Sequence, residues 1–297
     1  MKTCRVLLAI LLGGVAGCAA LSEEAQPPGQ PQRLTLVSGY VEGEIPVDPS
    51  ASLWERAASV DVPMLSQVIA KPFNLIPAIT KLQVRSVHNG RMIAFHVSWQ
   101  DATKDVAVYT DKFRDAVAIQ IPAKEETVIQ MGQPGGRVLI LHWKADWQED
   151  VDNSFQDIAR LYPNAWSDWY PFVVGEPPYD VTVWSNPEAQ RYMTGWVVGN
   201  PASQPHKRTV VEEQIAEGFG SLTTSHSQHT EGKGVHAGGK WSVVFVRPFT
   251  TGDPDDPRWG PGKSVPVAFA AWDGGKGEVG SKKSFSDWIT VQFSPSR

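Results

Sequence analysis

Short runs in which apolar and polar residues alternate recur from about residue 34 to the end of the chain. In KLQVRSVHNGRMIAFHVSW, Phe95, Val97 and Trp99 alternate with polar residues, and Asn89 with Gly90 supplies a tight turn. A period of two predicts strands, and the Asn-Gly pair predicts a hairpin between them. Similar runs are DAVAIQIP, RVLILHW, YDVTVW, GWVV, KWSVVFVRPF, SVPVAFAAW and DWITVQFS. At least eight such runs in one domain indicate an all-β fold, an antiparallel β-sandwich of two sheets.

Two long insertions interrupt this spacing, at residues 144–178 and 200–240. The first contains NSFQDIARL, which predicts a short helix, followed by an aromatic cluster. The second contains TVVEEQIAEG, in which Thr209 and Glu212 form a capping box and Gly218 supplies a stop, so a second short helix is predicted. Loops of this length in a compact domain are usually functional. The aromatic cluster consists of Trp166, Trp169, Tyr170 and Phe172.

The N-terminus has the pattern of an export signal. Lys2 and Arg5 form a basic region, and residues 6–15 are apolar but too few to span a bilayer. VAGC then ends at Cys18, and small residues before a cysteine are typical of a bacterial lipobox, in which the cysteine is acylated. The alternative is an ordinary signal peptide with a chance cysteine. Ala19 is not the aspartate that retains lipoproteins at the inner membrane, which favours the outer membrane, on its periplasmic side.

This interpretation divides the chain into three parts. Residues 1–17 are the lipoprotein signal peptide, residues 18–33 are a lipidated tether rich in proline and polar residues, and residues 34–297 form the sandwich domain. A hydrophobic content of 41% is sufficient for a packed core. The net charge of −5 argues against nucleic acid as a partner, because phosphate binding needs a basic surface.

Cysteine chemistry is excluded from the predicted domain. The only cysteines are Cys4 and Cys18, so the domain has no disulfide, thiolate metal site or iron–sulfur cluster, and no CxxCH motif for covalent haem attachment. His226 and His229 form HxxH in a loop near His236, but no carboxylate or cysteine completes a ligand set, so this metal signal is weak.

The remaining polar motifs do not predict catalysis. There is no GxSxG motif, no Cys/His pair and no phosphate-binding loop, so an enzyme in its own right is not indicated. His88, beside the hairpin turn, is predicted to be solvated. His96 and His142 lie in predicted strands and are expected to be hydrogen-bonded or at the surface.

Met131 lies in the turn QMGQPGG, where a core methionine has little to pack against. One interpretation is that it fills a gap under the loop. The other is that its thioether is held out toward a ligand, and a haem iron is one candidate. Lys207, before the predicted second helix, is a solvated charge on the simplest interpretation. A neutral lysine amine ligates iron only if burial and the metal lower its pKa.

Six segments together resemble the γ subunits of the ethylbenzene-dehydrogenase-like molybdenum enzymes, within the dimethyl-sulfoxide-reductase family. They run in order from residue 95 to residue 293. The segments are FHVSWQDAT, FRDAVAIQIP, QMGQPGGRVLILHWKADWQ, VEEQIAEGFGSLT, GKWSVVFVRPF and AAWDGGKGEVGSKKSFSDWITVQF.

The resemblance implies a β-sandwich that binds one non-covalent haem b between methionine and lysine axial ligands. The family's methionine matches Met131, and Lys207 is the closest match to its lysine, with the adjacent His206 as the rival. The resemblance also implies a complex with a molybdopterin catalytic subunit and an iron–sulfur subunit. The γ subunit would relay electrons between the iron–sulfur clusters and a periplasmic carrier such as a cytochrome c.

Two other functions remain open at this stage. The same architecture hosts carbohydrate-binding modules, and the 12 tryptophans could stack on sugar rings in a lipoprotein sugar binder. A haem sandwich could also act alone as an electron carrier. Visible absorption distinguishes the sugar binder, which has no haem band, from a haem protein. Co-purification of a molybdenum partner distinguishes a subunit of a complex from a carrier that acts alone.

Overall fold

The computed structural model describes most of the chain from Arg33 onward. The described residues belong to one compact unit, Arg33–Arg297. No helix within them is long and apolar enough to cross a bilayer. The described residues are 33–124, 126–164, 187, 191–254 and 256–296.

Strands dominate the described residues, and the helices among them are short. The strands are β1 Thr35–Tyr40, β2 Ser59–Pro63, β3 Leu65–Ser66, β4 Lys81–His88, β5 Met92–Gln100, β6 Ala116–Pro122, β7 Val138–Lys144, β8 Val211–Ala216, β9 Thr223–Thr224, β10 Glu231–Ala237, β11 Lys240–Pro248, β12 Ser264–Trp272, β13 Ser284–Phe285 and β14 Ile289–Phe293. The helices are α1 Leu53–Arg56, α2 Ala145–Asp152, α3 Ile158–Leu161 and α4 Thr194–Val197, with 3-10 turns at Pro201–Ser203 and Gly274–Lys276.

The strands form two layers. One layer has the order β10-β11-β5-β4, with β2 also paired to β4. The other has the order β14-β12-β6-β7-β8-β9, and β13 pairs with β12 and β3. β1 pairs in parallel with both β4 and β14 and so joins the layers, whereas the other strand pairs are antiparallel.

The main core lies between the two layers. Val84 and Val97 from the first layer belong to the same buried cluster as Val117, Leu141 and Val267 from the second. Because side chains alternate along a strand, each strand gives one set of apolar side chains to this core. The antiparallel β-sandwich predicted from the sequence is therefore confirmed.

The predicted hairpin is also confirmed. β4 and β5 pair antiparallel around the turn at Asn89, whose side-chain Oδ1 accepts a 2.8 Å hydrogen bond from the Met92 N–H. Gly90 has φ +86°, a left-handed conformation that glycine adopts without steric cost. The runs that begin at residues 115, 137, 240, 264 and 287 contain β6, β7, β11, β12 and β14. YDVTVW and the aromatic cluster lie outside the described residues.

The helix predicted for TVVEEQIAEG is wrong, because this segment contains strand β8. Thr209 donates its hydroxyl hydrogen to Thr230 O at 2.8 Å, and Glu212 pairs with Lys144 across the sheet, so both residues of the supposed capping box are engaged elsewhere. Val211 and Ile215 are β-branched residues that favour a strand. Antiparallel pairing with β7 therefore outweighs the local sequence pattern that favours a helix.

The first insertion matches its prediction only in part. NSFQDIARL contains the four-residue helix α3, but the longer helix α2 before it was not expected. GWVV was predicted to be a strand, and the structure instead has helix α4 there. His88 was predicted to be solvated, and the structure shows that it is buried against the rings of Tyr40, Phe249 and Phe293.

Candidate functional site

The second layer has an outer face that points away from the sandwich core. On β6, Val117 and Ile119 enter the core, whereas Ala116 and Ala118 point to the opposite face. The strand register then aligns outward residues in rows across the sheet. Ala118 lies between Ala270 of β12 and His142 of β7, and the neighbouring rows follow the same rule.

Small side chains make part of this outer face flat. Ala116 and Ala118 of β6 and Ala268 and Ala270 of β12 all line one cavity. Methyl groups project little from the sheet, so larger neighbours become the walls and the alanines become the floor. A flat apolar molecule could lie against such a floor with extensive contact.

The cavity above this floor has a volume of about 640 Å³. This lies within the ~300–1,000 Å³ typical of small-molecule and cofactor sites. Its walls are mostly apolar, with a few polar groups. The apolar wall residues include Ile69, Val108, Phe113, Ile129, Met131, Ile140, Phe219, Leu222, Phe269, Trp272 and Phe285, and the polar ones include Arg114, Gln120, His142, Lys144, Gln214 and Lys283.

Met131 lines the cavity in a strained backbone conformation. Its φ is +63°, in the left-handed region that bulky L-residues rarely adopt. Such a conformation costs about 1–3 kcal/mol and persists only where the surroundings impose it, which is common at functional sites. The side chain packs against the small apolar cluster on the outer face of the sheet that includes Ala116, Ala118, Ile140 and Trp272.

Hydrogen bonds on both sides fix the turn that carries Met131. Its carbonyl accepts a 2.8 Å hydrogen bond from the Gly218 N–H, just after β8, and its own N–H donates to Ile129 O at 2.8 Å. The next residue must be glycine, because Gly132 has φ +77° and a Cβ there would lie 2.4 Å from Gly136 O. The methionine is therefore held over the cavity by its backbone.

Lys283 brings an amine into the same cavity. Its Nζ lies 5.4 Å from the centroid of the Trp272 ring, and among the described residues it has no hydrogen bond or ion pair. Burial lowers the pKa of this amine to about 8. The side chain is half-buried and lines the cavity, which favours the neutral form compared with a solvated lysine.

The neighbouring Lys282 does not line the cavity. Its Nζ donates a 3.2 Å hydrogen bond to Lys276 O at the surface. Residues two apart on an extended segment point to the same side, so Lys283 and Phe285 face the cavity together. In the sequence, Lys282 and Lys283 are two adjacent charged residues with no visible difference. Only the structure shows that Lys283 lines the cavity and Lys282 does not.

His142 adds a neutral imidazole to the cavity wall. Its ring stacks on Trp272 with centroids 5.0 Å apart, and Nδ1 lies 3.2 Å from Gln214 Oε1. Its Nε2 is buried and has no hydrogen-bond partner among the described residues. Burial, with the positive charges of Lys144 and Arg114, lowers the pKa of this histidine well below its usual value. The sequence-based expectation of a satisfied or surface histidine is therefore wrong for Nε2.

Two cations lie in the wall of the cavity. Arg114 donates a 2.9 Å hydrogen bond from Nη1 to Asp146, and Lys144 forms a buried ion pair with Glu212. Lys144 also lies 4.2 Å from the centroid of the Trp147 ring. Both cations are paired with carboxylates that do not line the cavity, and their remaining N–H donors suit a flat ligand with acidic groups at its edge.

The structure does not bring Lys207 together with Met131. Lys207 is not among the residues that line the cavity. Its Nζ donates hydrogen bonds to Gln204 O at 2.5 Å and Ala202 O at 3.2 Å, and lies 3.9 Å from Asp150 Oδ2. Burial lowers the pKa of this amine, and Asp150 opposes that shift. The amine is therefore already satisfied by protein acceptors.

The other residues singled out in the sequence lie apart from the cavity. His206 and His226 are exposed, and His236 Nε2 lies 2.9 Å from Asp101 O. Within the described part of the chain, neither these histidines nor His229 belong to a group of three metal-ligating side chains. Cys18 lies outside the described residues.

Comparison with known proteins identifies the family. A family model described as ethylbenzene dehydrogenase matches residues 51–284, and the chain belongs to this family. A protein of Haloferax mediterranei described as a respiratory nitrate reductase heme subunit is 23% identical over 91% of this chain and 77% of its own length. The chlorate reductase subunit gamma of Ideonella dechloratans is 23% identical over 99% of this chain and 98% of its own.

A solved structure gives a more distant match. A protein from Bacteroides uniformis described as carbohydrate-binding is 13% identical, with a TM-score of 0.42, over 88% of this chain and 100% of its own. At this similarity the match does not bear on function.

Proposed function

We propose that this chain binds haem in the cavity on the outer face of β6, β7 and β12, and transfers electrons as a subunit of a molybdenum oxidoreductase. The observation that carries the proposal is the pair of potential iron ligands, Met131 and Lys283, in one apolar cavity. Membership of the ethylbenzene dehydrogenase family supports it. So do two relatives whose names are heme subunit of a nitrate reductase and subunit gamma of a chlorate reductase.

The cavity suits haem in shape and in chemistry. Haem supplies a one-electron carrier whose iron alternates between two oxidation states. The alanine floor accommodates a flat macrocycle, and Arg114 and Lys144 suit its acidic side chains. The buried, unpartnered Nε2 of His142 is a further polar atom available to a ligand. An apolar wall limits water around the group and so tunes its potential.

Met131 and Lys283 are the proposed axial ligands. The thioether needs no proton release, and the turn holds it in place. The amine must be neutral to bind, and a pKa of about 8 leaves roughly one amine in ten neutral at pH 7. At the usual lysine pKa, roughly one in a few thousand would be neutral. Burial therefore supplies most of the free energy that would otherwise be needed to deprotonate the amine before it binds a metal.

Lys207 remains the alternative ligand that the sequence suggests. For it to bind, its amine would have to leave Gln204 O, Ala202 O and the neighbourhood of Asp150. Lys283 would give up no hydrogen bond or ion pair among the described residues. On this comparison the geometry favours Lys283.

We propose further that the haem is of type b and is held without covalent links. The only cysteines are Cys4 and Cys18, so the sandwich offers no thiol for a thioether bond. Cys18 is proposed to carry lipid and to hold the chain at the periplasmic side of the outer membrane. Its electron partners would be an iron–sulfur subunit, next to a molybdopterin subunit, and a carrier such as cytochrome c.

The test is the spectrum of the purified chain with haem added. We expect one haem per chain, extractable by acidified organic solvent, with a six-coordinate low-spin spectrum. Lys283→Ala should convert it to a high-spin or five-coordinate form. Lys282→Ala is the matched control, because that neighbouring amine contacts Lys276 O and not the cavity, and it should keep the parent spectrum.

Lys207→Ala decides between the two lysines. We expect it to keep the low-spin spectrum while lowering stability, since it removes two hydrogen bonds. If Lys207→Ala loses the low-spin form and Lys283→Ala keeps it, the ligand assignment from the cavity is wrong. If the chain binds no haem at all, the proposed function is wrong and the sugar-binding alternative should be tested by titration with oligosaccharides.

A further inference from the structure

Three buried carboxylates meet at one end of the sandwich, outside the cavity. Asp101 follows β5, Asp115 precedes β6 and Asp273 follows β12, so three separate parts of the chain supply them. One oxygen from each lies within 4.8 Å of the other two. Their exposed fractions are 5%, 0% and 8%. Negative charges this close and this buried repel one another strongly.

Hydrogen bonds to Asp115 favour its ionised form. Oδ2 accepts from the Asp105 N–H at 2.8 Å and from Trp241 Nε1 at 2.9 Å, and Oδ1 accepts from the Gly274 N–H at 2.9 Å. Both oxygens therefore act as acceptors toward N–H donors. A protonated carboxyl would need an acceptor for its own hydrogen, and these donors do not provide one.

Asp101 has an oxygen with no partner. Its Oδ1 accepts from the Thr103 N–H at 3.1 Å, whereas its Oδ2 is buried without a hydrogen bond among the described residues. The indole N–H of Trp99 attracts this carboxylate but does not reach hydrogen-bonding geometry. Burying a carboxylate oxygen without a hydrogen-bond donor costs free energy, so this oxygen is available to bind a cation.

Among the described residues, no side-chain cation balances the cluster. Within the described residues, none of the three carboxylates forms an ion pair with lysine, arginine or histidine. The ion pairs of the sandwich lie elsewhere, for example Lys144–Glu212 and Arg247–Glu213. Buried charge without a counter-charge is among the most unfavourable arrangements in a folded protein. The cluster therefore requires either a bound cation or a proton.

Further oxygens crowd the same place. A Cβ on Gly275 would lie 2.8 Å from both Asp105 Oδ2 and Thr103 Oγ1, and 3.3 Å from Asp273 Oδ1. The absence of a side chain at Gly275 allows these oxygens to approach. The side chains of Thr103 and Asp105 thus approach Asp273, one of the three clustered carboxylates, beside Gly275.

We propose that Asp101, Asp115 and Asp273 bind a divalent cation, with Ca²⁺ as the best match. Hard cations take oxygen ligands, and Ca²⁺ accepts the irregular, crowded sets that loops provide, whereas Mg²⁺ demands octahedral geometry and retains its waters. The ion would fix Asp115 and Asp273. The cavity residues Ala116 and Trp272 follow and precede them directly, so it would hold one end of the cavity floor.

This proposal is independent of haem. In the cation-free protein, burial raises the pKa of Asp115 to about 7, and the charge of Asp101 contributes to the shift. The competing explanation is therefore a proton shared within the cluster. A chelator removes a bound cation but not a shared proton, whereas a rise in pH releases the proton and favours the cation, so the two can be separated.

The experiment uses the mature chain treated with EGTA and then titrated with CaCl₂, MgCl₂ or MnCl₂. We expect one Ca²⁺ to bind in calorimetry and to raise the melting temperature. Terbium, which replaces Ca²⁺ in oxygen sites, should emit when tryptophan is excited, because Trp241 Nε1 donates to Asp115. Added Ca²⁺ should displace it.

Asp101→Asn and Asp273→Asn should each weaken Ca²⁺ binding at least tenfold. Asp101→Asn removes a charge but keeps an oxygen for the Thr103 N–H, and far-UV circular dichroism checks its fold. Asp61→Asn is the control, since Asp61 pairs with Lys81 at the surface. If no divalent ion binds at millimolar concentration, or the Asp101 and Asp273 variants bind as well as Asp61→Asn, the cation proposal is overturned and the shared proton takes its place.

Discussion

The amine of Lys283 lies 5.4 Å from the ring centroid of Trp272, and the ring of His142 stacks on the same indole with centroids 5.0 Å apart. Met131 packs against the small apolar cluster that contains this tryptophan. Trp272 therefore lies beside two groups that could bind a metal, the amine of Lys283 and the imidazole of His142, and belongs to the cluster that supports a third, the thioether of Met131. The proposed site is organised around a side chain that has no ligand chemistry of its own.

Met131→Gly and Met131→Ala should separate strain from ligation. Both remove the thioether, so both should lose the low-spin spectrum and bind haem at least tenfold more weakly. Without haem, the glycine variant should be more stable than the alanine variant by about 1 kcal/mol, because only glycine adopts a φ of +63° without steric cost. Urea unfolding of the two haem-free variants measures the difference. Equal stabilities would mean that the turn relaxes when the methionine is removed.

Ala270→Leu and Ala271→Leu should have opposite effects, although the residues are adjacent on β12. Ala270 lines the cavity, so a leucine there should lower the affinity for haem at least tenfold while leaving the free energy of unfolding nearly unchanged. Ala271 belongs to the sandwich core, so a leucine there should cost about 1–3 kcal/mol by overpacking and leave binding intact. Haem titration and urea unfolding measure the two effects. If Ala270→Leu binds haem normally, the macrocycle does not lie on this floor.

Glu212→Gln should destabilise the fold strongly. Glu212 and Lys144 form an ion pair in which both side chains are less than one-tenth exposed, with 4% and 7% of their surface accessible. Removing one partner leaves a buried charge uncompensated, which typically costs about 3–5 kcal/mol. Glu217→Gln is the matched control, because its pair with Arg137 is over one-third exposed on both sides, at 36% and 40%. That change should cost less than about 1 kcal/mol in urea unfolding.

Asp115 predicts a pH dependence that Ca²⁺ should abolish. Burial raises its pKa from 3.8 to about 7 in the folded protein. The folded state then binds more protons than the unfolded state, so this contribution to stability is present below about pH 4 and is lost as the pH rises toward 7. With EGTA, the free energy of unfolding should fall by about 2–4 kcal/mol across this range. Saturating Ca²⁺ should flatten the profile, as followed by urea unfolding at a series of pH values.

The strands were predictable because their information is local. The alternation in DAVAIQIP and SVPVAFAAW is visible in the sequence, and β6 and β12 occur there. The segment that contains β8 was not predictable by the same means. Thr209 and Glu212 carry a helix-capping pattern, and only pairing with β7, distant in sequence, converts the segment into a strand.

The site was predictable only in part, for a related reason. Met131 could be singled out because its turn is unusual for a methionine. Lys283 had no such signal. It stands out because, among the described residues, no acceptor binds its amine, and this cannot be seen from the sequence. The pairing of β13 with β12 turns Lys283 toward the cavity and leaves its neighbour Lys282 at the surface.

The alternation of β6, β7 and β12 has a consequence for how this protein can change. Each strand contributes one set of residues to the core and the other set to the cavity floor, while Met131 and Lys283 come from connecting segments. Substitutions on one set leave the other nearly untouched. Evolution, or an engineer, could therefore exchange the bound group while conserving the sandwich core, with two loops as the adjustable parts.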